Sequence, residues 1–141
     1  MKGEKIPDQN HIARFCRPMQ APEGQIQATA FMLREIDKNH LSVNWLEFLN
    51  CSSRESEITK IRTIYSETFT VGARARIAIL NVGEVREKVL TESPDGRHLE
   101  VLHAPLMNDP SHSGIYNLKQ DDELIAELIL ETVRESYSAR K

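Results

Sequence analysis

Cysteine is scarce in this sequence, since Cys16 and Cys51 are the only two in 141 residues. Two thiols cannot form an all-cysteine zinc site or the disulfide framework of a small secreted domain. We therefore expect both cysteines to be reduced. Arg14 and Arg17 flank Cys16 and could lower its pKa, but burial of Cys16 as a small apolar side chain is the simpler interpretation.

Long apolar runs and a strong net charge are also missing. The longest uninterrupted apolar runs, 30–33 and 77–80, fall far short of the roughly 20 residues that span a bilayer, which excludes a transmembrane protein. The 18 basic residues are balanced by 21 acidic ones, for a net charge of −3, so non-specific nucleic-acid binding is not expected. No apolar signal segment follows the first ten residues, and we expect a cytoplasmic location.

The common catalytic motifs do not occur. The sequence has no phosphate-binding loop, no glycine-rich dinucleotide fingerprint, no nucleophile elbow and no His-Glu-x-x-His zinc motif. Nucleotide hydrolysis by a P-loop, dinucleotide binding, and the common hydrolase and zinc-protease chemistries are thereby excluded by motif.

The composition that is present, 40% hydrophobic and 28% charged, is typical of one globular domain. We predict a single domain over residues 1–141, with 1–10 as a flexible N-terminal segment. Alternating apolar and polar side chains predict antiparallel strands over 11–17, 25–34 and 41–46. The Ile- and Leu-rich run 75–82, bounded by glycines, is typical of a central strand covered on both faces.

Helical spacing marks two other segments. Ser52 and Glu55 form a capping box that predicts a helix over about 53–69. An apolar stripe with acidic residues in its first turn predicts an amphipathic C-terminal helix over about 121–138. Residues 82–90 are ambiguous, because their valines are helically spaced but the Ser-Pro-Asp-Gly turn after them favours a hairpin. The fold class is α+β, a mostly antiparallel sheet carrying a central helix and a C-terminal helix.

The first candidate site is a polar loop that contains His103, Asp109 and His112. Two imidazoles and a carboxylate suit an acid/base pair, or a divalent metal ion. Their spacing matches no metal-binding signature, so we predict no cofactor while keeping the metal as an alternative. The simpler interpretation is a turn in which Asp109 accepts backbone N–H bonds.

A second candidate lies on the first strand. Alternation places His11 and Arg17 on one face and Arg14 on the other. An arginine on a buried face needs a carboxylate or a phosphate as a partner. Glu35 and Glu47 are the candidate protein partners, and an internal ion pair is the simpler interpretation of Arg14.

The third candidate is Asn44, which shares a strand face with Ser42. Its amide could orient a substrate carbonyl or phosphate oxygen, although polar residues on a solvated sheet face are the simpler interpretation. Trp45, on the opposite face, is typical of a core residue.

Two functional hypotheses follow. The first is an interaction or accessory module that binds a partner protein through a strand edge or an acidic helix face. The alternative is a small enzyme or ligand-binding domain for a phosphate-containing or nucleotide-like substrate, with arginine holding the anion and histidine as acid or base. The alternative requires that at least three of five side chains meet in one concave pocket: His11, Arg14, Asn44, His103 and His112.

Overall fold

A computed structural model describes residues 3–37 and 39–140 of the chain. Its strands and helices, in chain order, are β1 His11–Cys16, β2 His40–Trp45, α1 Arg54–Thr68, β3 Arg76–Asn81, α2 Val82–Glu92, β4 Glu100–His103, β5 His112–Tyr116, α3 Glu123–Leu130 and β6 Glu135–Ser138. Within the described residues the strands form one sheet in the order β4-β5-β2-β1-β3-β6, and every pairing is antiparallel. The α+β class with a mostly antiparallel sheet is confirmed.

The two faces of the sheet are covered unequally. On one face, apolar side chains from β1, β2, β3, β4 and β5 pack against α2, α3 and a short 3₁₀ helix, Ala28–Phe31. On the other face, α1 packs over β1 and β3, and among the described residues this second core includes none from β4 or β5. Beyond α1, that face carries the polar side chains of Ser42, Asn44 and His112.

Strands β1 and β2 diverge soon after they begin to pair. Their register contains two pairs, Ile12 with Trp45 and Ala13 with Asn44, whereas β1 pairs with β3 along its whole length. Beyond the second pair the guanidinium of Arg14 fills the gap and donates to the main-chain carbonyl of Ser42. A side chain thus replaces the missing strand-to-strand hydrogen bonds.

Several predicted elements are confirmed. The strands predicted over 11–17, 41–46 and 75–82 correspond to β1, β2 and β3, and the helix predicted over 53–69 corresponds to α1. The N-cap of α1 is Ser53, whose hydroxyl accepts from the Ser56 amide. The prediction of Ser52 as the cap was therefore off by one residue.

The strand predicted over 25–34 is wrong. This segment forms the 3₁₀ helix Ala28–Phe31, in which Ala28, Ala30 and Phe31 are buried against α3. The consecutive residues Ala30 and Phe31 are both buried, which does not fit a strand with one covered face. The alternation of apolar and polar residues therefore does not indicate a strand here. Tertiary packing decides the local structure here.

The hairpin favoured at 82–90 is also wrong. Asn81 caps a helix there by accepting from the Glu84 amide, and Val82, Val85 and Val89 are buried on one face of α2. The predicted Ser-Pro-Asp-Gly turn exists, but it joins α2 to β4. The helical spacing of the valines was thus a better predictor of the structure of this segment than the turn that follows it.

The C-terminal helix is shorter than predicted over 121–138. It ends at Leu130, and Glu135–Ser138 pairs with β3 as an edge strand. Strand β3 offers a free row of backbone groups on that side, and Tyr137 packs against the core beneath α1. These tertiary contacts outweigh the local helical pattern.

The first residues of the chain run beside β4. The amides of Gly3 and Ile6 donate to the carbonyls of His103 and Val101, and the side chain of Ile6 is buried. Residues 3–6 are therefore part of the packed fold. In the part of the chain that the structure describes, no helix has the length and apolar character to cross a membrane.

The two cysteines are predicted to differ sharply in reactivity. Cys16 is 0% exposed, and burial raises the pKa of its thiol to about 11, although nearby Arg14 opposes the shift. The thiolate is the nucleophile, so we expect iodoacetamide at pH 8 to alkylate half-buried Cys51 in the native protein and Cys16 only after denaturation. Mass spectrometry of digests locates the adducts, and alkylation of native Cys16 at the rate of Cys51 would contradict its burial.

Candidate functional site

The divergence of β1 and β2 opens a cleft of about 290 Å³ on the face that α1 leaves uncovered. Strands β1, β2 and β5, the C-terminal end of α1 and the loop before β5 all contribute to its lining. The polar and charged residues that line it include Arg14, Arg17, Arg34, Asp37, Ser42, Asn44, Asp109 and His112.

Arg14 is the best-buried cation of the cleft. Its Nε donates to the Ala30 carbonyl at 2.8 Å and its Nη1 to the Ser42 carbonyl at 2.9 Å. Burial lowers the pKa of the guanidinium, yet an arginine remains protonated in a protein. It forms no salt bridge with any described residue, so the predicted ion pairs with Glu35 and Glu47 are wrong. Glu35 is exposed, and Glu47 binds His11.

The remaining N–H groups of Arg14 have no acceptor among the described residues. A guanidinium carries five N–H donors, and the two hydrogen bonds to carbonyls leave Nη2 without an acceptor among the described residues. Within that part of the chain, the one side-chain nitrogen or oxygen that is both sealed from solvent and unpartnered is Nε of Arg97. Nη2 of Arg14 is therefore solvent-accessible, and Arg14 lines the cleft.

Two further arginines lie at the rim. Arg34 pairs with Asp37 through Nη2 and Oδ1 at 3.1 Å, and its backbone amide also donates to that carboxylate. Burial opposes ionisation of Asp37, but the hydrogen bonds from Arg34 outweigh it and lower the pKa. Arg17 is exposed and forms no salt bridge within the described residues. Arg17 thus keeps its charge available at the mouth of the cleft.

A buried carboxylate lies on the β5 side. Asp109 is 7% exposed, and its two oxygens accept from Nδ2 of Asn44 at 2.8 and 3.1 Å. The same nitrogen donates to Oγ of Ser111 at 2.9 Å. Asp109 forms no salt bridge with a described residue. The prediction that Asn44 orients a substrate must be revised, because its amide N–H groups are occupied by this network.

His112 contacts Ser42 across the sheet. Its Nδ1 lies 2.8 Å from the Ala104 carbonyl and its Nε2 lies 3.2 Å from Oγ of Ser42. The ring of His40 lies edge-on at 5.8 Å. Gly114 makes room for this ring, since a Cβ at that position would lie 2.8 Å from Cδ2 of His40.

Aromatic rings form the opposite wall. The rings of Phe15 and Phe69 stack at 4.6 Å, and Tyr65 packs against Phe15 at 5.1 Å. The hydroxyl of Tyr65 donates to the Ala13 carbonyl. Burial raises the pKa of this phenol above its usual value, so Tyr65 remains neutral and contributes no charge.

The structure brings most of the predicted site residues together. Arg14, Asn44 and His112 line one cleft, with Arg17 and Asp109, so the spatial condition set by the sequence is met.

His11 and His103 do not line this cleft. His11 pairs with Glu47 through Nδ1 and Oε2 at 2.7 Å. His103 accompanies Ser113 in the strand register and packs against Trp45, on the face opposite to His112. Among the described residues there is no group of three or more His, Cys, Asp or Glu side chains that could hold a metal ion, so His103, Asp109 and His112 do not form a ligand set.

Some residues of the cleft were not predicted from the sequence. Ser42 was noted only as a neighbour of Asn44, and Tyr65 and Phe69 fell within the helix predicted over about 53–69 without being named as site residues. These residues meet in one cleft because β1 and β2 diverge, and no local sequence pattern indicates that divergence. No protein-family model matches the sequence, and comparisons with curated proteins and with solved structures find no match. What the cleft binds is therefore inferred from its own side chains.

Proposed function

We propose that the protein binds a small phosphate-containing ligand in this cleft, with Arg14 holding the phosphate. The observation that carries the proposal is a buried arginine, 9% exposed, whose guanidinium is anchored by two carbonyls and has no carboxylate partner among the described residues, and which lines a cleft. A buried charge is costly unless it is paired. An anionic ligand supplies the missing partner.

The anchoring of Arg14 favours recognition of a phosphate. Hydrogen bonds to the Ala30 and Ser42 carbonyls hold the plane of the guanidinium, so binding costs little side-chain entropy. Its remaining N–H groups can donate in a forked arrangement to two oxygens of a phosphate or carboxylate. Exposed Arg17 adds attraction at the mouth of the cleft.

The charges of the cleft limit how many phosphates it accepts. Three arginines and two aspartates line it, a balance of one positive charge. This balance suits a single phosphate better than a triphosphate. The aromatic wall formed by Phe15, Tyr65 and Phe69 suits a planar or apolar group on the same ligand, and the carboxylate of Asp109 can accept a hydrogen bond from it.

Calorimetric titration with inorganic phosphate, phenyl phosphate and benzoate tests the proposal. We expect phenyl phosphate to bind more tightly than either of the others, because it alone combines a phosphate with a ring. Arg14→Gln should weaken its binding about 10–100-fold, since a hydrogen bond to a charged group contributes about 1.5–3 kcal/mol.

Arg74→Gln is the matched control. It removes the same charge from an exposed position outside the cleft, and binding should stay within about twofold of wild type. Equal losses in the two variants would mean that the anion is attracted only by net charge. Absence of binding by all three compounds would overturn the proposal.

Binding of a partner protein, the first hypothesis from the sequence, stays a prediction. Leu106 and Met107, in the loop before β5, expose apolar side chains beside the cleft. Such side chains occur in interfaces, but isolated ones are also common on monomeric proteins. The unpaired guanidinium is the more specific feature, so anion binding ranks first.

A further inference from the structure

Ser42 and His112 are hydrogen-bonded, and the carbonyl of Ala104 determines which of the two side chains donates. The Ala104 carbonyl, 2.8 Å from Nδ1 of His112, can only accept a hydrogen bond, so Nδ1 carries the proton. In neutral His112, Nε2 is then the acceptor. The hydroxyl of Ser42, 3.2 Å away, must donate to it.

This is the arrangement of a serine nucleophile and its general base. The base lies within reach of the hydroxyl, and a third group orients the imidazole. Here the orienting group is the Ala104 carbonyl in place of a carboxylate. Ser42 is exposed on the cleft, so a lone pair of its oxygen can reach a bound ligand.

Arg14 joins this pair to the anion site. Its Nη1 donates to the carbonyl of Ser42, and both residues line the same cleft. A phosphate held by Arg14 would therefore be bound in the cleft that Ser42 also lines. The guanidinium can also stabilise the charge that develops on the phosphate oxygens during transfer.

We infer that the cleft cleaves a phosphate ester, with Ser42 as the nucleophile and His112 as the base; the inference rests on the proposed phosphate binding. Oγ of Ser42 attacks phosphorus as its proton passes to Nε2 of His112. The bond from phosphorus to the ester oxygen breaks, and that oxygen takes the proton from His112, releasing an alcohol. A water molecule then attacks phosphorus and passes a proton to Nε2 of His112. The bond from phosphorus to Oγ of Ser42 breaks, and Oγ takes that proton from His112, which regenerates Ser42 and releases phosphate.

The orienting carbonyl predicts a modest rate. An imidazolium at His112 is stabilised by the dipole of the Ala104 carbonyl, whereas a carboxylate would stabilise it with a full charge. Asp109 cannot take this role, because the polar contacts of its side chain are with Asn44 and Ser111. We therefore expect slow turnover. With p-nitrophenyl phosphate the phosphoserine should accumulate, because p-nitrophenolate leaves without protonation whereas Oγ of Ser42 needs a proton from His112 to leave.

Covalent labelling of the full chain with a biotinylated fluorophosphonate tests the nucleophile. This reagent phosphonylates activated serines, and mass spectrometry of digests identifies the modified residue. We expect the adduct on Ser42, loss of labelling in Ser42→Ala, and a decrease of about 100-fold or more in His112→Asn, the usual contribution of a general base. Inorganic phosphate should slow labelling of the wild type by competing for Arg14.

Ser66→Ala is the control, because Ser66 is also exposed but lies on α1, outside the cleft. Its labelling should match that of the wild type. Turnover of p-nitrophenyl phosphate should release p-nitrophenol and leave an acid-stable phosphate on Ser42. The position of the adduct in wild-type protein carries the test even if a variant does not fold.

Three results would overturn the inference: an adduct on Ser42 no faster than on Ser66, labelling unchanged in folded His112→Asn, or cleavage of p-nitrophenyl acetate without cleavage of p-nitrophenyl phosphate. Phosphate binding is measured separately on the unlabelled wild type. If phosphate binds and Ser42 does not react, the inference fails and the proposed function stands. If phosphate does not bind, the proposed function fails, and the inference fails with it.

Discussion

Arg14→Met is expected to lower the free energy of unfolding by about 2–3 kcal/mol. The substitution leaves the carbonyls of Ala30 and Ser42 without their donor, and a buried acceptor without a partner costs about 1–3 kcal/mol. Removal of a buried charge recovers part of that cost, because the guanidinium no longer has to be desolvated. Methionine keeps an unbranched side chain of similar length, so the effect of lost volume is small.

Urea denaturation of Arg14→Met, followed by circular dichroism, gives the measurement. Arg74→Met, at an exposed position, should change stability by no more than about 0.5 kcal/mol. If Arg14→Met also changed the free energy of unfolding by no more than about 0.5 kcal/mol, the guanidinium would not hold β1 and β2 together where they diverge. Unchanged stability together with lost phosphate binding would assign Arg14 to the ligand alone.

Asn44→Leu is expected to destabilise the protein by about 2–4 kcal/mol. Both oxygens of buried Asp109 accept from this one amide nitrogen, and leucine leaves the carboxylate with the hydroxyl of Ser111 as its remaining side-chain donor. Because Asp109 is 7% exposed, its carboxylate replaces only part of these hydrogen bonds with bonds to solvent in the cleft. The loop before β5 should therefore loosen together with the cleft.

A double-mutant cycle measures the interaction energy between Asn44 and Asp109 separately from their contacts with other residues. Asp109→Leu removes the charge, so Asn44→Leu/Asp109→Leu should be more stable than the sum of the single changes predicts, by about 1.5–3 kcal/mol. Gln25→Leu, an exposed polar-to-apolar change, is the control and should be nearly neutral. Strict additivity would contradict a direct contribution of the hydrogen bonds between Asn44 and Asp109.

Local patterns predicted the elements whose periodicity agrees with their packing. Strands β1 and β2 alternate, and α1 has a capping serine and one apolar face, so their local and tertiary preferences coincide. The pattern failed at 25–34 and beyond Leu130. In the first segment consecutive residues are buried under α3, and in the second the free edge of β3 captures Glu135–Ser138 as a strand.

The candidate site was partly predictable for a related reason. Asn44, Asp109 and His112 were recognised as polar residues that interrupt apolar segments, and they do meet in the cleft. The separation of His103 from His112 follows from the register of β4 and β5, which places His103 beside Ser113. That register is a property of the pairing between strands and is not encoded in the spacing within either one.

The sequence by itself determined the class of fold, the reduced state expected of the two cysteines, and the supply of arginine, histidine and carboxylate side chains. Those properties depend on composition and on periodicities within single elements. Only the tertiary structure decided that β1 and β2 diverge beside Ala13, that Arg14 closes the gap without a carboxylate, and that Ser42 meets His112. Each of these depends on how distant segments pack, and hydrogen bonds across a sheet join residues whose separation along the chain carries no local signal.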